Sequence, residues 1–286
     1  MSEFDVVVVG SLNLDLVVRS ARHPSPGETL TGSDYAEIAG GKGLNQAVCA
    51  ARSGARVAMV GAVGDDHAGE YLRGIVQTEG IDDTLLATRP GVPTGRALIT
   101  VDDSGENSII IVAGANATVE VDRLPTSNVV LAQLETTTDV VEEAFRRGRA
   151  HGATTILNPA PAATLPDSLL DHCDVLVPNE HEVDLLGGRG ALVSRVGHLV
   201  VTLGAAGAEL VGIDGSISVP PSRVEPVDTT GAGDAFCGSL AARLAAGDDV
   251  ADALRYAAAA GALATTVRGA VPSQPSRRDV LDLLDA

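Results

Sequence analysis

The sequence predicts an α/β protein, a doubly wound and mostly parallel sheet flanked by helices, with a small antiparallel β-sheet lid. Composition is the first observation behind this. Hydrophobic residues make up 45% of the 286, yet aromatics are only 2% and Trp is absent. The core must therefore be filled by Val, Leu, Ile and Ala, the composition of a parallel sheet buried on both faces. The second is that short apolar runs alternate with helix-length amphipathic stretches along most of the chain, as βαβ units do. The third is that two neighbourhoods, near 14–38 and 96–112, read as strands with no helix between them.

Phe4–Val9 (FDVVVV) is a nearly continuous apolar run and reads as a buried strand, ending at Gly10-Ser11. Leu14–Arg19 alternates, as a half-buried strand does, and a helix opens after Gly40-Gly41. Arg56–Val60 gives a strand and His67–Glu79 a helix. Arg96–Asp102 and Asn107–Val112 make a hairpin around Asp103-Ser104-Gly105. Asn128–Ala132 is followed by the helical pattern Thr138–His151, and Thr154–Leu157 by the loop NPAPA. Val175–Val177 leads into a helix at Glu180–Leu186, and His198–Thr202 into a short hairpin, Gly207–Val219. Helical patterns near 232–246 and 250–267 close the chain. No Pro-, Gly- or Ser-rich linker and no internal repeat divides it, so one domain over 1–286 is expected, with the lid inserted.

The formal net charge is −18, and basic residues never run beyond the pairs Arg146-Arg147 and Arg277-Arg278. Nucleic-acid binding needs a basic stripe, and single strands need aromatic platforms. Both are missing. Positive charge for an anionic ligand must then come from metal ions or backbone dipoles more than from surface lysines. Cys49, Cys173 and Cys237 have no metal-type spacing and read as buried free thiols. The N-terminus lacks the pattern of a secretory signal and no apolar run is long enough to span a membrane. A cytoplasmic protein with no membrane partner is expected.

Two glycine clusters each open a helix: Ala39-Gly40-Gly41-Lys42-Gly43-Leu44-Asn45 and Gly231-Ala232-Gly233-Asp234. The first is not a Walker A loop, since Lys42 precedes Gly43 rather than Ser or Thr. The second does not continue as GxGxxG, so a dinucleotide fingerprint fails too. Helix N-termini stabilise anions through their backbone N–H groups. If Gly231, Ala232 and Gly233 turn their amides to a phosphoryl group, Asp234 stands beside it, placed to accept a proton from an attacking hydroxyl. An ordinary helix start explains Asp234 as well, because aspartate is common in a first turn.

The stretches AGGKGLNQAVCAARSGARVAMVGAVGDD and VDTTGAGDAFCGSL, with GSLNLD, PSPGETLTG, GENSIIIVAGAN, QLE, LNPAPA, LVPNEHE and VTLGAAG in order between and around them, resemble the ribokinase-like, or phosphofructokinase-B type, sugar kinases. The likeness spans essentially the whole chain. It implies ATP-dependent phosphorylation of the primary 5-hydroxyl of D-ribose, with Asp234 as general base. It also implies a sugar site of Asn13, Asp15, Gly41, Lys42, Gly43, Asn45 and Glu135. Asn13 and Asp15, two apart on an extended segment, face one side, and an amide with a carboxylate suits a vicinal diol. A helix cap would explain Glu135 as well.

By the same resemblance, Asn179, Thr202, Gly204, Gly207 and Gly233 would follow the nucleotide, and Asn179 and Glu182 would hold Mg²⁺ through water. A potassium-like cation would sit at Asp228, Thr230, Ala264, Val267, Gly269 and Ser273. The sequence departs from the family between Asn179 and Thr202, where GGRGALVSRVG is short, and at Ala258, where a polar residue can face adenine. A homodimer formed lid to lid is expected, because a small open sheet has an edge and a face to bury. Two rivals stand beside this reading: a kinase for deoxyribose, fructose or a nucleoside, and a sugar-binding regulator without catalysis.

Overall fold

The computed structural model describes residues 2–213 and 215–286. In chain order the elements are β1 (Phe4–Val9), β2 (Asn13–Arg19), β3 (Asp34–Gly40), α1 (Lys42–Arg52), β4 (Val57–Gly64), α2 (His67–Thr78), β5 (Leu86–Arg89), β6 (Gly95–Val101) and β7 (Asn107–Val112). There follow β8 (Ser127–Ala132), α3 (Thr138–Ala150), β9 (Thr154–Leu157), α4 (Asp167–Leu170), β10 (Val175–Leu176), α5 (Glu180–Leu185), α6 (Arg189–Val193) and β11 (His198–Thr202). The chain closes with β12 (Ala208–Gly212), β13 (Gly215–Val219), α7 (Ala232–Ala245), α8 (Val250–Ala264), α9 (Ala270–Ser273) and α10 (Arg277–Leu284).

The large sheet runs β13-β12-β11-β10-β9-β8-β1-β4-β5. Its strands from β5 to β11 pair in parallel, and the β11-β12-β13 edge is antiparallel. The turn of that last hairpin, at residue 214, lies outside the described residues. The valines of β1 show why its sequence is apolar almost throughout. Val6 and Val8 join Leu44, Leu72, Phe236 and Leu240 in one core, while Val7 and Val9 join Val141, Phe145, Leu169 and Leu192 in another. Helices α1, α2, α7 and α8 thus cover one face, and α3, α4 and α6 the other. Both faces are buried.

The small sheet has the order β3-β2-β6-β7. Its outer pairings, β2–β3 and β6–β7, are antiparallel, whereas the central pairing β2–β6 is parallel. The hairpin expected at 96–112 is present. Ile109, Ile110, Ile111 and Val112 on edge strand β7 are all exposed, as are Tyr35 and Leu98.

Several details differ from the sequence expectation: the small sheet is mixed rather than antiparallel because β2 and β6 run in parallel, and α4, α6, α9 and α10 are short helices where none is expected. The last long helix stops at Ala264 rather than near 267, because the hydroxyls of Thr265 and Thr266 bond back to the carbonyls of Ala262 and Leu263 and the chain then turns. Strand β5 is a further difference, since LATR is too short to display a period. Among the described residues, no helix is long and apolar enough to cross a membrane.

Candidate active site

Parallel strands of one sheet point their carboxyl ends the same way, and ligands of such folds bind there. Here the ends of β1, β8, β9 and β10 deliver Ser11, Gln133, Glu135, Asn158 and Asn179 to one edge, facing the N-termini of α1 and α7.

Helix α7 follows directly on Gly231, whose φ of 79° is left-handed and favours glycine. Asp234 lies in its first turn but does not cap it. Its carboxylate turns inward, where Oδ2 accepts from Asn45 Nδ2 at 2.9 Å and Oδ1 from Gln46 Nε2 at 2.9 Å. Asp234 thus occupies a first-turn position, but its side chain is bonded to α1 rather than to the amides of its own helix. The two helices can come this close because α7 presents Gly238 to α1: a Cβ there would lie 2.4 Å from the Gln46 carbonyl oxygen and 2.9 Å from Cys49 Cβ.

Glu135 does not cap α3, the helix that follows it. Its Oε2 accepts from the Ser11 hydroxyl, from Asn13 Nδ2 at 3.3 Å and from the Lys42 backbone N–H at 3.1 Å. Asn13 Oδ1 in turn accepts from Asn116 Nδ2 at 2.8 Å. The glycines make room for this. Gly41 has φ 90°, and a Cβ on it would sit 2.7 Å from the Asn13 nitrogen. A Cβ on Gly40 would meet Asp15 Oδ2 at 2.2 Å, and one on Gly43 the Ser11 nitrogen at 2.5 Å.

Three carboxylates thus share a pocket with one lysine. Burial first, and then the charges of Glu135 and Asp234, push the Asp15 carboxyl up to about 7. The Lys42 ammonium is held above its ordinary value chiefly by Asp234, against burial, with help from Glu135 and Glu182. Burial raises Glu182, partly offset by the Asn179 amide and Lys42. The charges of Lys42 and Glu182 thus link the pocket to the β10 end.

Asn179 and Glu182 form a reciprocal capping box on α5. The Asn179 N–H donates to Glu182 Oε2, and the Glu182 N–H to Asn179 Oδ1. This leaves Glu182 Oε1 uncommitted, a donor set that fits a hydrated Mg²⁺. Asn179 bridges Thr202 across the strands. Gly204 (φ 54°) and Gly207 (φ 94°) shape the turn after β11, and a Cβ on Gly207 would lie 2.2 Å from the Val219 carbonyl oxygen.

Asp228 accepts from the backbone N–H groups of Thr230 and Gly269, each at 3.0 Å. Burial acts to raise its carboxyl, but these amides, together with the Thr230 hydroxyl and the charge of Arg19, outweigh it and leave the group below its ordinary value. Val267 N–H reaches the Ala264 carbonyl at 3.5 Å, while the Ser273 hydroxyl turns to the Ala270 carbonyl instead of toward Asp228. Asp228 and Thr230 line one wall of a cleft of about 620 Å³, and Asp15, Val17 and Ile38 of the small sheet line the other.

Sequence reasoning missed Ser11, Gln46, Asn116, Gln133 and Asn158. All are buried. The available signal was position: Ser11, Gln133 and Asn158 each follow closely on a buried strand, at the end where parallel sheets bind ligands.

Residues 3–277 match the profile of the pfkB family carbohydrate kinases. Ribokinase of Bacillus subtilis is 38% identical over 98% of this chain and 99% of its own length. Deoxyribokinase of Salmonella typhimurium is 35% identical over 95% and 96%. The structure of Arabidopsis thaliana ribokinase complexed with ribose and ATP superposes with a TM-score of 0.88 at 32% identity, covering all of both chains. The chain belongs to the pfkB, or ribokinase-like, family of carbohydrate kinases.

Proposed function

We propose that this kinase transfers the γ-phosphoryl group of ATP to the primary 5-hydroxyl of D-ribose, with Asp234 as general base. The observation that carries the reading is the placement of Asp234: a buried carboxylate in the first turn of α7, bonded to amides of α1 rather than capping its own helix. A base must reach the acceptor hydroxyl, and a helix N-terminus must meet the phosphoryl charge. Gly231, Ala232 and Gly233 supply the second requirement one residue away from the first.

Asn13, Asp15, Gly41, Lys42, Gly43, Asn45 and Glu135 hold the sugar in this reading. Asn45 Oδ1 is buried with no partner in the protein, as a group waiting for a ligand hydroxyl would be. Asn179, Thr202, Gly204, Gly207 and Gly233 follow the nucleotide. Mg²⁺, held through water by Asn179 and Glu182, would neutralise charge on the transferring phosphoryl group. Potassium would occupy the loop of Asp228, Thr230, Ala264, Val267, Gly269 and Ser273. The small sheet acts as a lid that excludes water, and its exposed apolar face joins a second copy.

The Salmonella relative favours deoxyribose as the alternative acceptor. Initial rates with ATP and each sugar decide between them; the reading requires a higher kcat/KM for D-ribose. Asp234→Asn should lower kcat by at least ~10²-fold while both ligands still bind in calorimetry. Wild-type turnover in that variant would remove the mechanism.

A further inference from the structure

We infer that Gln46 is the positioning residue for the Asp234 carboxylate, and that a buried amide chain across the sheet edge fixes which way Gln46 faces. This rests on the reading of Asp234 as base. Gln46 lies on α1 with no exposed surface, and its side chain meets the polar groups of Asp234, Asn158 and Gln133, which an apolar replacement would leave buried without a partner. Its amide is fully committed. Nε2 donates to Asp234 Oδ1 at 2.9 Å and to Asn158 Oδ1 at 3.1 Å, and Oε1 accepts from Gln133 Nε2 at 2.6 Å.

The direction of these bonds is set by the main chain. Asn158 Nδ2 donates to the Val177 carbonyl at 3.0 Å, and a carbonyl can only accept. Asn158 must therefore turn its Oδ1 to Gln46, which obliges Gln46 to present N–H to both Asn158 and Asp234. A flipped Gln46 would set its oxygen against two acceptors. Gln133 completes the arrangement, although its own Oε1 is left buried without a partner. An unpaired buried acceptor is unfavourable, so the orientation of Gln133 answers to Gln46.

The two carboxylate oxygens of Asp234 are thus gripped by consecutive residues of one helix, but the grips differ in kind. Asn45 has an open Oδ1 and, in the proposed function, meets the sugar, so its hold changes with occupancy. Gln46 has nothing left to offer a substrate. It acts only through Asp234, keeping the carboxylate plane aimed whether or not the sugar is present.

The test is a double-mutant cycle with ATP and D-ribose on the full chain. Gln46→Met keeps shape and volume while removing the N–H groups. It should lower kcat about tenfold or more, the loss of one hydrogen bond to a charged group, with KM for both substrates within about threefold. In the Asp234→Asn background the same substitution should change kcat by less than about threefold. Equal factors in both backgrounds would overturn the inference, because a merely structural amide adds its cost independently. Unchanged kcat in the single variant, or a loss confined to KM, would overturn it too. If Gln46→Met does not fold, Gln133→Met, one contact further out, should show a smaller kcat loss that again vanishes beside Asp234→Asn; its persistence there would overturn the inference. Wild-type turnover in Asp234→Asn alone would instead overturn the base assignment itself.

Discussion

Asp15→Asn should make the protein more stable and a poorer binder of sugar, and the gain in stability should depend on pH. The Asp15 carboxyl rises from 3.8 to about 7 because burial and the charges of Glu135 and Asp234 disfavour its ionised form. A carboxyl whose folded value lies above its unfolded value is neutral in both states below about pH 4. Between about pH 4 and pH 7 the unfolded chain ionises first, so stability falls as pH rises; above pH 7 the deficit is complete. At about 1.4 kcal/mol per pH unit, a gap of roughly three units is about 4 kcal/mol, and solvent in the open cleft reduces this to about 2–4 kcal/mol. Removing the charge should return that amount at pH 8 and less than half of it at pH 5. Urea unfolding of both proteins at the two pH values, with equal m-values, measures it. Calorimetry at pH 8 should show ribose affinity weakened about ten- to a hundredfold. A variant no more stable than wild type at pH 8, or a gain of equal size at pH 5, would refute the reasoning.

Potassium should raise the rate of ribose phosphorylation above that in large organic cations at constant ionic strength, and Asp228→Ala should abolish most of that response; a flat wild-type potassium series counts against the site. Ile110→Lys, which places a charge on the most exposed apolar residue of the small sheet, should convert a dimer into monomers in sedimentation experiments. A dimer undisturbed by that change would move the interface elsewhere.

Much of the fold is legible in the sequence because burial leaves a period in the chain. FDVVVV is apolar almost throughout since both faces of β1 are covered, and RALITVD alternates less cleanly because its sheet is partly open. The parallel β2–β6 pairing is hidden, because strand direction depends on partners far apart in sequence. In the site, the glycine clusters announce themselves by composition. Asp234 can be singled out but not separated from a capping aspartate, since only the inward turn of its side chain distinguishes the two. Gln46, Gln133 and Asn158 have no such signature: a buried amide looks in sequence like a surface one, and its meaning lies in bonds spanning 87 to 188 residues.

The close crossing of α1 and α7 at Gly238 also orders events in time. A chain emerging from the ribosome as far as Val219 has made every strand of both sheets, yet Asn45 and Gln46 still lack their carboxylate. The carboxylate that completes the arrangement comes only with α7. The irregular stretch 220–227 separates what is complete from what is missing. Severed there, the protein would lose in one cut both the carboxylate that the α1 amides hold and two of the helices that bury one face of its large sheet, so site and core stand or fall together.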